Sequence, residues 1–314
     1  MSQTLDNELV AEAAGLGVRI PPAEPVAEQW VPHHFEPGRA VWFAVRFLVR
    51  RPGLVLSVLM VAVVVIAAFW PGAISSRDPL TGVPAQAFSP PGAAHWFGTD
   101  ELGRDLFTRV VHGSALSLKA TLIAVAVAFL AGGLLGLVAG FAGRWAEDVL
   151  MRFVDVLLSI PALFLSLAVV TALGYGTVKI AVAVGVASVA TFARVMRAEV
   201  LRVRQAVFVE AARSCGARWY SVLGRHVLPN AIGPVLVLAT LEFGTSILAV
   251  SSLSFLGYGT PPPAPEWGTL ISQGRNYLAN AWWMTALPGL TIAATVLATN
   301  RIARALDGEW TRRP

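Results

Sequence analysis

The chain has 314 residues, of which 55% are hydrophobic and only 14% charged, with a formal net charge of +5. A mean hydropathy of +0.64 excludes an ordinary soluble domain and leaves room for several apolar spans of about 20 residues each. The single cysteine, Cys215, excludes an internal disulfide and a cysteine-rich metal site.

Residues 1–37 are polar, carry several prolines and have no early apolar core, so they read as a disordered cytoplasmic tail without a secretory signal. Residues 38–52 interleave Arg39, Arg46, Arg50 and Arg51 with Val41, Trp42, Phe43, Phe47 and Leu48. That pattern suits an interfacial amphipathic helix, or simply a cationic flank of the first span. Residues 53–306 then hold six apolar runs, and residues 307–314 form a C-terminal cytoplasmic tail.

The first span runs from Gly53 to Trp70 without a charge, and a segment rich in Pro, Gly and Ser follows from Pro71 to about His112. Span two covers Ala120 to Phe141, where Gly132, Gly133, Gly136 and Gly140 offer a small-residue face for close helix packing. A short charged turn, Gly143 to Arg152, leads to span three, Phe153 to Leu173, with Asp155 near its start and Pro161 inside it. Span four, Ile180 to Met196, is squeezed between Lys179 and Arg194, so its ends would rely on snorkelling side chains. Spans five and six fall near Ile232–Phe255 and Trp282–Thr299.

Six spans put both termini on one side, and charge tells which. Of the 24 Lys and Arg residues, 18 lie on the side of the termini: five before Pro52, two at Arg144 and Arg152, seven from Arg194 to Arg225, and four after Asn300. That bias places the termini in the cytoplasm of a multi-pass protein of the cell membrane. It also accounts for the basic balance through anionic lipid rather than nucleic acid.

Catalysis by this chain has little to stand on. The two lysines, Lys119 and Lys179, follow Leu118 and Val178, so no Gly-Lys-Ser/Thr phosphate loop exists. His33 and His34 sit in the polar tail without companion ligands, and no Gly-x-Ser-x-Gly elbow is present. No catalytic or metal-binding residue is assigned.

Between spans four and five, Val203 to His226 reads as two short helices. Gly216 suits the left-handed residue that closes the first, and the second, near Ala217–His226, stops at Pro229. Helix chemistry alone leaves open an amphipathic loop on the lipid surface. The spacing narrows it. Glu210-Ala211-Ala212, three residues, Gly216, eleven residues, then Leu228-Pro229 resembles the coupling loop by which ABC-transporter permeases engage their ATPase. His226 departs from the aliphatic residue of the broad pattern.

On the opposite side, Phe97 to Asp105 lacks the alternating oxygen ligands of a calcium loop. It suits a structural cap on span two, with Asp105 and Arg109 at i, i+4 spacing. A second stretch, Ser254 to Gly259, then Pro261 to Pro263 and Pro265 to Gly268, stiffens a re-entry of the chain, and Trp267, Trp282 and Trp283 suit the membrane interface. Gly98-Thr99-Asp100 through Gly103-Arg104-Asp105, Met151 to Asp155, the coupling loop and the last two stretches resemble the peptide/nickel branch of binding-protein-dependent permeases. The similarity, from about Val41 to Asp307, is strongest to the second permease subunit of dipeptide and oligopeptide importers. The ending departs: Asn300-Arg301-Ile302-Ala303-Arg304 stands in place of a Gly-Asp-containing stretch.

The resemblance implies an all-α type I ABC importer permease fold that moves peptides or a related solute. It implies a heterodimer with a homologous permease, two cytoplasmic ATPase subunits that use ATP and Mg, and an extracytoplasmic solute-binding protein. Coupling would fall to Glu210, Ala211, Ala212, Gly216, Leu228 and Pro229. Glu242 is the outstanding intramembrane charge, suited to the translocation pathway or a subunit interface. An ion-coupled carrier is the alternative, but it would need several paired intramembrane charges, and a non-transporting scaffold would leave the coupling loop without a purpose.

Overall fold

A computed structural model describes the backbone of residues 52–310 and the side chains of residues 52–305. The expected tail over 1–37 and, but for Pro52, the interfacial helix over 38–52 lie outside the described residues. Among the described residues the structure is helical, joined by loops, with one isolated β-bridge between Thr99 and Asp105.

Helix α1 (Pro52–Phe69) matches the first apolar run. Helix α2 (Leu106–Phe141) is 36 residues long, so it starts some fourteen residues before the expected Ala120. Asp105 fixes that start by capping it: its Oδ1 accepts from the Thr108 N–H at 2.8 Å. The expected charged turn at 143–152 is instead the opening of α3 (Arg144–Ser159), an amphipathic helix. Helix α4 (Ala162–Leu173) leaves α3 at 95°, so span three is broken rather than straight. Pro161 is the cause, since it holds Ile160 extended (φ −94°, ψ 126°) and cannot continue the hydrogen-bond ladder.

Helix α5 (Thr177–Arg204) has 28 residues and is the most enclosed of the four long apolar helices, with Ala181, Ala190, Phe192, Ala193 and Val200 fully buried. The span read as short is thus a central post. Arg194 does not end it, because that side chain pairs with Asp155 of α3 at 2.7 Å. After α6 (Val207–Ser214), helix α7 runs from Trp219 to Tyr258, 40 residues, and passes through Pro229 instead of stopping there. A wide π turn over Leu223–Val227 absorbs the hydrogen bond that Pro229 cannot make. A short α8 (Trp267–Gly274) precedes α9 (Trp283–Trp310), which carries the helical backbone past residue 306.

By length and composition, four of the described helices can cross a membrane, and the bent α3–α4 pair makes five. That pair does connect the two ends. Arg204, at the foot of α5, reaches the Gly140 carbonyl beside the start of α3, while Gly176, just past α4, donates to the Tyr258 carbonyl at the top of α7. Helix α9 is long enough for the sixth crossing. Its threonines dilute its hydropathy but bond inward, with Thr291, Thr295 and Thr299 each donating to the carbonyl four residues back.

The glycine face of α2 packs on α5. A β-carbon at Gly132 would collide with Val189 and Phe192, and one at Gly136 with the Ala193 carbonyl and Met196. Gly136→Val is therefore expected to cost about 1–3 kcal/mol by overpacking, read as a lower unfolding temperature in detergent. Gly133→Ala, which meets only the tip of Met196, is the matched control.

Candidate functional site: a coupling knob, a far-end cap and an intramembrane acid

Helix α6 has one fully buried side chain. Val209 is fully buried, in an apolar cluster with Val222 and Val227 of α7 and Met196, Val200 and Val203 of α5. Glu210 and Ala211 point away and are exposed, and Ala212 is half-buried. The helix closes where expected: Gly216 takes φ 80°, and the Ala217 N–H returns to the Ala212 carbonyl at 3.1 Å. Leu228 is half-buried in the next helix and Pro229 exposed beside it. His226 lies against the Phe208 ring, 6.5 Å between centroids, so it is a packing partner for α6. Exposed Val207, Phe208, Trp219 and Tyr220 surround the knob. Val209 escaped the sequence reading. Its signal was a lone apolar position facing the later valines of α7.

The motif at the other end of the spans is a closed polar knot. Gly98 and Gly103 adopt left-handed backbone, and Thr99, Asp100, Arg104 and Asp105 are all buried. Asp100 Oδ1 accepts from the backbone N–H of Leu102 and Arg104, and its Oδ2 accepts from Arg104 Nε at 2.7 Å. Arg109 is fully buried, with Nη1 3.2 Å from that same Oδ2, Nη2 donating to Gln273, and Nε without a partner. The expected Asp105–Arg109 pair is thus replaced. Arg109 turns to Asp100, and Asp105 pairs with Arg77 at 3.0 Å and His95 at 2.7 Å. Burial pushes the Asp105 carboxyl up, but the Thr108, His95 and Arg77 contacts outweigh it and hold the group below the usual carboxylate range.

Two of the tryptophans assigned to the membrane interface are core anchors instead. Trp267 is 1% exposed and donates from Nε1 to the Val110 carbonyl, tying α8 to α2, and buried Trp283 donates to the Thr99 carbonyl, tying α9 to the knot. Trp282 remains exposed. Beside them Glu266, 1% exposed, accepts from Ser254, Thr177, Thr269 and the Thr260 N–H, so one carboxylate joins α5, α7 and α8. A lone acid between prolines and a tryptophan was its only trace in the sequence.

Glu242 lies mid-way along α7, half-buried, and accepts from Ser188 Oγ of α5 at 2.6 Å. None of the ion pairs among the described side chains involves it. Thr245, Leu248 and Ser252 continue the same face and are exposed.

The family described as binding-protein-dependent transport system inner membrane component matches residues 132–312. The chain is 38% identical over 249 residues to the dipeptide transport system permease protein DppC of Alkalihalophilus pseudofirmus, covering 79% of this chain and 82% of that one. It is 36% identical over 266 residues to the probable D,D-dipeptide transport system permease protein DdpC of Escherichia coli, covering 85% and 88%. The glutathione transport system permease protein GsiD of Pectobacterium atrosepticum is 36% identical over 271 residues, covering 86% and 89%. Two solved structures share the fold at a TM-score of 0.51. One is an amino acid ABC transporter, 18% identical over 65% of this chain and 94% of that one. The other is the inward-facing MetNI methionine ABC transporter, 20% identical over 63% and 96%. The ion-coupled carrier falls away with these matches, and the chain belongs to the binding-protein-dependent transport system inner membrane component family, as a permease subunit of an ABC importer.

Proposed function

We propose that this permease carries peptides or a closely related solute, and that α6 is the knob through which separate ATPase subunits drive it. The exposed Glu210–Ala211 face on a helix pegged by Val209 carries the reading. The short side chain of Ala211 lets a partner approach closely, Glu210 supplies a fixed charge, and the peg would make α6 move with α5 and α7. The chain would work as a heterodimer with a second, homologous permease and receive solute from an extracytoplasmic binding protein. Its termini and α6 would lie in the cytoplasm, as the charge bias suggests. ATP and Mg would be bound by the ATPases, with no cofactor held here. The peptide class rests on the three relatives named for dipeptide and glutathione transport. Glu242 would face the solute path or the second permease.

The test is uptake of a labelled dipeptide in cells that express the whole operon. Glu210→Ala is expected to leave membrane insertion and thermal stability unchanged, since Glu210 is exposed, while ATP-dependent uptake falls to background. Gly216→Val, which forces a branched side chain into φ 80°, should do the same with some loss of stability. Normal uptake in both variants would remove the coupling role.

A further inference from the structure

Between the first residues of α1 and the C-terminal part of α9 lies an open cavity of about 280 Å³ lined by Leu54, Arg301, Arg304 and Ala305. The two arginines stand one turn apart on α9. The Arg301 guanidinium lies flat against Gly53, in the space a β-carbon would need. Both arginines are exposed, and among the described side chains neither enters an ion pair. Leu54 and Ala305 supply an apolar wall.

The level of the cavity is set by the sequence. No charge interrupts α1 after Pro52, and Arg301 is the first charge on α9, so the cavity sits where these spans leave the hydrocarbon. Two guanidiniums select an anion with several acceptor oxygens, and forked donors favour phosphate. The apolar wall then favours a phosphate that carries acyl chains. We propose that this cavity binds the phosphate group of an anionic phospholipid where α1 and α9 leave the hydrocarbon. It gives a role to the Arg-rich stretch over 300–304, which the transport reading leaves unused.

The test needs no knowledge of the cargo. The intact transporter is purified, exchanged into phosphatidylglycerol or phosphatidylcholine, and its retained lipids are counted by native mass spectrometry, with and without excess inorganic phosphate. The wild type is expected to retain phosphatidylglycerol over phosphatidylcholine and to keep it in inorganic phosphate. Arg301→Gln and Arg304→Gln should each lower that preference roughly five-fold, and the double variant by the product, while Arg301→Lys/Arg304→Lys keeps most of it. Equal retention of both lipids, or undiminished preference in the double glutamine variant, overturns the proposal. Displacement by inorganic phosphate would overturn the lipid as occupant and leave a soluble phosphate site.

Discussion

Replacing Asp100 with Ala is expected to remove about 3–5 kcal/mol from the folded state, the usual cost of breaking a buried ion pair from one side. Asp100 is 2% exposed and is the counter-ion of both Arg104 and the fully buried Arg109. Asp100 is the one acid within ion-pair distance of Arg109 among the described side chains, and Nε and Nη1 already lack a hydrogen-bond partner, so the lost carboxylate leaves a buried charge poorly compensated. Adding Arg109→Met should recover part of the loss, because the stranded charge goes with it. The measurement is a double-mutant cycle in detergent, followed by thermal unfolding. An Asp100→Ala protein within about 1 kcal/mol of the wild type, or strictly additive losses in the double variant, would mean that the knot is held by backbone and not by charge.

Glu266→Ala is the second large loss, expected at about 3 kcal/mol. It deprives Ser254, Thr177, Thr269 and the Thr260 N–H of a common, buried acceptor. The hydroxyls can swivel toward other acceptors, so the full cost of four stranded donors is not expected, but the Thr260 N–H cannot. Glu266→Gln keeps the volume and one acceptor oxygen and sets an NH2 against the remaining donors, so a smaller loss is expected. Limited proteolysis between Tyr258 and Trp267 should quicken in step with the fall in unfolding temperature. Two variants as stable and as protease-resistant as the wild type would show the carboxylate to be dispensable.

What could be read from the sequence was local. Gly216 closing α6, Asp105 capping α2 and the glycine face of α2 each depend on neighbours in the chain or on a repeating spacing. Contacts at long separation left no such trace. Trp267 and Trp283 looked like interface residues because nothing near them in sequence shows that their N–H groups find carbonyls at Val110 and Thr99. Lys179 and Arg194 looked like the ends of a short span because the Asp155 that neutralises Arg194 is 39 residues away. Pro161 and Pro229 show how context decides. Both lie in long helical patterns, yet the first breaks its helix by 95° and the second is carried by a π turn. Glu210 and its neighbours were legible as a pattern, while Val209, which fixes them to the body of the protein, was not.

Helix α7 has a mechanical consequence. At 1.5 Å per residue, its stretch from Trp219 to Leu256, before the left-handed Gly257, makes a rod of roughly 60 Å, bound near one tip to the Val209 peg and near the other to Glu266 through Ser254. The Glu242–Ser188 bond lies between, at the place of a fulcrum. Rocking such a lever by only about 5° sweeps each tip through roughly 2–3 Å in opposite directions. If α6 takes the push proposed above, the same lever would carry it to the Glu266 latch as loosening or tightening.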